Sequence, residues 1–137
     1  MPDRPRIALI GMGASAATLT AEALEALRRA RRVAGARRLL EALPPDVTRD
    51  RVPAVWAGEI WQAVRDVDRA AVLYSGDTGF YSGAAELLDL LRGQEREAEV
   101  FPGLSSVQML AARLGRPWQD WKLVSAHGRA CDPVAAV

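Results

Sequence analysis

Three short stretches carry the residue types that could bind or position a reacting molecule. They are GMGASA at 11–16, SGDTGFYSG at 75–83 and PGLSS at 102–106. Each is dominated by residues with little or no side chain. Glycine there lets the backbone turn sharply or lets another group come close to it. GMGASA begins like a dinucleotide-binding turn but has Ala16 where a third glycine would stand. The acidic residue that would hold a ribose after the second strand is also missing, since RVAG is followed by ARR. A tight turn that packs helix on strand explains the motif as well as a ligand contact does. In SGDTGFYSG, Gly76 and Gly79 permit close approach. Asp77 suits either an amine or hydroxyl of a ligand or the cap of a following helix. Phe80 and Tyr81 read as core or pocket wall. In PGLSS, amide donors at a helix start would suit a carboxylate or carbonyl, and Ser105 equally suits a plain N-cap.

No team of acid, base and nucleophile accompanies these loops. His127 is the single histidine and Cys131 the single cysteine, too few for a metal site, so none is expected. Such a chain fits chemistry in which a cosubstrate carries the reactive group and the protein positions it.

The elements that must hold the loops follow from periodicity. Apolar runs predict strands at 6–11, 32–35, 47–52, 69–75, 97–101 and 121–126. Helices are predicted from Thr20 as N-cap, and over 36–43, 56–67, 83–91 and 105–114, with Trp56 on the apolar face of the third. Strands alternate with helices, so the fold class is α/β, a mostly parallel sheet flanked by helices on both faces. Ligands of such sheets bind outside the carboxyl ends of the strands, where all three loops fall. The loops are therefore expected to converge on one ligand.

Bulk properties bound the function. The chain has 137 residues, half of them hydrophobic, and a formal net charge of +1. Its basic run RRARRVAGARR at 28–38 reads as a solvated helix face and end, not a phosphate track, so no nucleic-acid partner is expected. No apolar stretch approaches the ~20 residues of a membrane span. With no cysteine pair and no signal segment, a cytoplasmic location is expected.

Longer stretches resemble a known family. IGMGASAATLT, RVAGARRLLEAL, VLYSGDTGFYSGAAELL and VFPGLSSVQMLAARLGRPWQDWKLVSAHGR are together similar to the tetrapyrrole (corrin/porphyrin) methylases. The last stretch resembles their C5-methylating branch, precorrin-6Y C5,15-methyltransferase (decarboxylating) or cobalt-precorrin-7 C5-methyltransferase. Departures are Ala14-Ser15 for the family's Pro-Gly and Thr78 for the proline of GDPG. The resemblance implies a cobalamin-pathway enzyme in which a carbon of the macrocycle attacks the sulfonium methyl of S-adenosylmethionine. It implies that Gly76, Asp77, Thr78, Ser105 and Ser106 hold the donor. Gly11 and Gly13 would face the precorrin substrate, and His127 and Arg129 would touch substrate or order a hinge. It also implies a homodimer and a C15-methylating, decarboxylating partner, fused or separate. Family members carry a second α/β domain. The expectation is thus a first domain at 1–120, then a hinge and the start of an interrupted second domain at 121–137, inactive by itself. Two other readings stay open, a dimerising non-catalytic fragment and a nucleotide-binding module.

Overall fold

A computed structural model of the chain describes residues 6–125. It has two units, Met1–Ser106 and Val107–Val137. In the first, the order is β1 (Arg6–Gly11), a single 3-10 turn (Ala16–Thr18), α1 (Ala21–Arg29), β2 (Arg32–Gly35), α2 (Arg37–Glu41), β3 (Arg51–Pro53), α3 (Ala57–Val64), β4 (Arg69–Tyr74), α4 (Ala84–Gly93) and β5 (Glu97–Phe101). The five strands form one sheet in the order β3-β2-β4-β1-β5, and all their pairings are parallel. This is the α/β architecture that the alternation predicts.

The alternation of side chains along β1 builds two cores. Ala8 and Ile10 face Ala71, Leu73 and Val33, covered by Ala23 and Leu27 of α1 and Leu39 and Leu40 of α2. Ile7 and Leu9 face Ala70 and Val72, covered by Ile60 and Val64 of α3 and Leu87 and Leu91 of α4. The division follows from chain direction. The crossovers β1→β2 and β2→β3 move one way along the sheet, and β3→β4 and β4→β5 move the other. Right-handed crossovers then place α1 and α2 on one face and α3 and α4 on the opposite one. Each fully buried Leu, Ile or Val contributes about 1.5–3 kcal/mol by leaving water.

Local signals set most of the boundaries. Thr20 caps α1, its hydroxyl accepting the Ala23 N–H at 3.1 Å. Four arginines of the basic run pair with acids: Arg28 with Asp46, Arg29 with Glu25, Arg31 with Asp68, and Arg32 with Asp50 and Asp66. Helix α5 (Ser106–Leu114) belongs, after its first residue, to the second unit. It ends at Gly115 in a left-handed turn with φ +64, where Arg116 N–H reaches Ala111 O and Gly115 N–H reaches Ala112 O.

Three expectations change. The strand expected at 47–52 is only Arg51–Pro53, because Val47 turns back into the core and Thr48 Oγ1 accepts the Asp50 N–H. Pro53 is tolerated because β3 is an edge strand. Trp56 precedes α3 instead of lying on its buried face and is 71% exposed. Residues 121–125 form no strand; the observed turn closes through Trp121 N–H to Trp118 O.

Two residues sit against local preference and generate tests. Glu95 closes α4 with a positive φ of 53°, its N–H bonded to Arg92 O and the Arg96 N–H to Leu91 O. Glycine adopts this conformation without the steric cost, so Glu95→Gly should raise unfolding stability by about 1 kcal/mol in urea titration. The Tyr74 hydroxyl is buried without a hydrogen-bond partner. Burial, and then the Glu86 charge, push its pKa well above the usual 10.0. The unfolded phenol therefore loses its proton first, and the fold should weaken as pH rises past 10. Tyr74→Phe should remove that part of the alkaline decline and add about 1 kcal/mol at neutral pH.

Candidate functional site

From β1 the chain leaves toward β2, and from β4 it leaves toward β5, although β1 and β4 are neighbours. The two connections leave on opposite faces of the sheet, toward α1 on one and α4 on the other, the arrangement beside which ligands of open α/β sheets bind. Backbone pairing continues past the strand ends here. Met12 N–H donates to Tyr74 O at 2.8 Å, and Gly13 and Gly76 exchange two hydrogen bonds of 3.1 Å as an antiparallel bridge.

The third loop crosses the same spot. A Cβ on Gly11 would stand 2.7 Å from Gly76 O and 2.8 Å from Gly103 N. A Cβ on Gly103 would fall 2.5 Å from Gly11 O and against Gly76 O. Three backbones therefore meet where no side chain fits. Gly13 and Gly76 carry positive φ values of 73° and 67°, a second reason for glycine at those positions.

Side chains then lock the crossing. One Asp77 carboxylate oxygen accepts the Gly103 N–H at 3.0 Å and the other accepts the Gly79 N–H at 3.3 Å. Buried Thr78 donates its hydroxyl to Phe101 O at 3.2 Å. Both residues tie the loop after β4 to the end of β5. In the first loop, Thr18 Oγ1 accepts the Ala14 N–H at 3.0 Å and lies 3.1 Å from Met12 O. Sequence reasoning missed Thr18 and Gly103. Only the pairing of a small-residue loop with a hydroxyl at its end hinted at the first.

The structure thus brings Gly11, Gly13, Gly76, Asp77 and Thr78 together with the loop that carries Ser105 and Ser106. Ser105 is buried immediately before α5, and Ser106 is exposed as its first residue. His127 and Arg129 lie outside the described residues. The glycines at 11 and 103 are accounted for by the crossing itself. At Gly76 an added Cβ would meet nothing closer than Leu104 O and Ser105 Cα, both at 3.9 Å, so a side-chain-free surface borders the two loops. The exposed large apolar residues of the first unit lie in or just after the strands, spread from the β3 edge of the sheet to the β5 edge. Val55 and Trp56 follow β3, Tyr81 follows β4, Leu104 follows β5, and Val100 sits one residue before the end of β5. A separate cavity of about 520 Å³ runs beside α1 and is lined by Arg6, Glu22, Arg29 and Arg69, with no predicted site residue. Among the described residues no cluster of three His, Cys, Asp or Glu side chains could hold a metal ion, and no helix is long and apolar enough to cross a membrane.

The crossing should be the least tolerant backbone in the unit. Gly103→Ala is expected to cost about 3 kcal/mol or prevent folding, because backbone atoms must move apart. Asp77→Ala should cost about 1–2 kcal/mol through two lost acceptors. Equal, small effects in denaturant titrations of both variants would contradict this geometry.

Residues 6–136 match the tetrapyrrole (corrin/porphyrin) methylase family. The cobalt-precorrin-7 C(5)-methyltransferase of Salmonella typhimurium is 34% identical over 126 residues, 90% of this chain and 62% of that protein. A probable cobalt-precorrin-7 C(5)-methyltransferase of Methanocaldococcus jannaschii is 28% identical over 116 residues, 81% of this chain and 54% of that protein. The crystal structure of the cobalamin-biosynthesis precorrin-6Y methylase of Archaeoglobus fulgidus superposes with a TM-score of 0.68 at 26% identity, covering 84% of this chain and 60% of that one. The chain spans 54% to 62% of the length of these relatives. With its parallel five-stranded sheet and a family match that runs through nearly all of its residues, this chain belongs to the tetrapyrrole (corrin/porphyrin) methylases.

Proposed function

We propose that this chain is the N-terminal part of an S-adenosylmethionine-dependent C-methyltransferase that acts on C5 of a precorrin, precorrin-6Y or cobalt-precorrin-7, in cobalamin biosynthesis. The observation that carries the reading is the side-chain-free surface at Gly76, bordered at 3.9 Å by the backbone of Leu104 and Ser105, at the end of the sheet where ligands bind. The names of the C5-methylating relatives support the branch.

When bound, the donor supplies a sulfonium methyl to a carbon of the macrocycle. The chain's own part is to bind and orient. Backbone at Gly76, Asp77 and Thr78 lines the donor pocket, and Ser105 and Ser106 lie at its other side. The Asp77 carboxylate keeps unused lone pairs beyond its two backbone bonds, enough for one amine or hydroxyl of the donor. Gly11 and Gly13 border the macrocycle side, with His127 and Arg129 assigned to substrate or hinge. Within this reading, residues 1–120 are the first domain and 121–137 open a second. The protein works as a cytoplasmic homodimer beside a C15-methylating, decarboxylating partner, uses no metal of its own, and is inactive as this chain alone.

Calorimetric titration of S-adenosylhomocysteine into this chain, and into the chain extended to the length of its relatives, tests the reading. Binding to the extended form is expected. Ser106→Ala in that form should weaken it about three- to tenfold with an unchanged melting temperature. Absence of binding in both forms, each folded, would overturn it. NAD binding in its place would move the assignment to a nucleotide module.

A further inference from the structure

Two non-glycine residues among those described have a positive φ, Glu95 and Tyr81. Glu95 closes a helix, where that conformation is common. Tyr81 closes none. It lies in the loop between β4 and α4, two residues before the Gly83 N-cap of α4, at φ 47, with Gly79 two positions before it. For a bulky aromatic this conformation is an outlier, and such strain persists only where the surroundings impose it.

Half of Tyr81 stays exposed, at 50%. One ring contact is with Phe80, edge to face at 4.9 Å. The loop itself is held on both sides. Asp77 is bonded to Gly103 and Gly79, and Ser82 Oγ accepts the Ala84 N–H at 3.2 Å. An anchored loop thus presents a half-exposed aromatic ring beyond the carboxyl end of β4, five residues after Gly76.

We propose that Tyr81 is a binding and specificity residue whose ring stacks on a flat conjugated face of the ligand held at this end of the sheet. The proposal rests on the methyltransferase reading above. Two sources share the chemistry, the nucleobase of the donor and the conjugated macrocycle of the substrate. Stacking of this kind changes affinity by about tenfold.

The test uses the chain extended to the length of its relatives, with Tyr81→Gly and Tyr81→Phe. Melting temperature is read beside dissociation constants for S-adenosylhomocysteine and for uroporphyrin, a soluble tetrapyrrole. Tyr81→Gly is expected to melt at or above the parent temperature, because glycine relieves the strained φ. It should weaken one of the two ligands about tenfold, while Tyr81→Phe stays within twofold. Loss for the first ligand assigns the ring to the nucleobase, and loss for the second to the macrocycle. Unchanged binding of both by Tyr81→Gly would overturn the platform and leave the methyltransferase reading standing. A fall in melting temperature with unchanged binding would make the ring structural and overturn it too. Equal losses in Tyr81→Phe and Tyr81→Gly would assign the effect to the hydroxyl and overturn the stacking. A parent protein that binds neither ligand would overturn both readings together.

Discussion

The close approach of three backbones at Gly11, Gly76 and Gly103 is the constraint on which the rest of this structure depends. Strands β1, β4 and β5 pair in register along their whole length, and their ends then cross with carbonyls and amides where side chains would otherwise stand. Once that crossing forms, the loop after β4 has little freedom. Asp77 and Thr78 bond back to the β5 end, and the Gly13–Gly76 bridge closes the other side. The carboxyl end of the sheet is therefore held by the chain's own hydrogen bonds.

The two cores make this possible by taking the work of stability away from the loops. Leu27, Leu39 and Leu40 on one face, and Ile60, Val64, Leu87 and Leu91 on the other, hold the helices to the sheet. The loops contribute few large buried side chains, Met12 being the main exception. They carry glycine, serine and threonine instead, and those residues serve backbone geometry. Polar groups in the loops thus have structural duties first. Thr78 and Thr18 bond to main-chain atoms, and Asp77 holds two amides while keeping lone pairs for a further partner.

Much of the fold was legible in the residues. Strands β1, β2 and β5 fall on their apolar runs, β4 ends one residue short of its run, and Thr20 and Gly115 bound helices as their chemistry predicts. Errors came where tertiary context outweighs local pattern. Val47 reads as the start of a strand because it is apolar, yet it is buried in a turn packed with Leu39, Leu40 and Leu43. Trp56 fitted a helical stripe by spacing, but the helix starts one residue later and leaves the ring exposed. The strand expected at 121–126 is absent over its described residues, 121–125, which follow a turn closed at Trp121.

Sequence alone determined the fold class, the positions of the three small-residue loops at strand ends, and the resemblance to a methylase family. Periodicity and glycine placement are local properties, and they survive in one dimension. It left open whether the glycines served a ligand or the chain itself. Only the tertiary structure decided that Gly11 and Gly103 are needed by the crossing, that Asp77 bridges two loops 26 residues apart, and that Tyr81 is held out in a left-handed conformation. Those facts depend on which backbones meet in space, and strand order, not spacing along the chain, sets that.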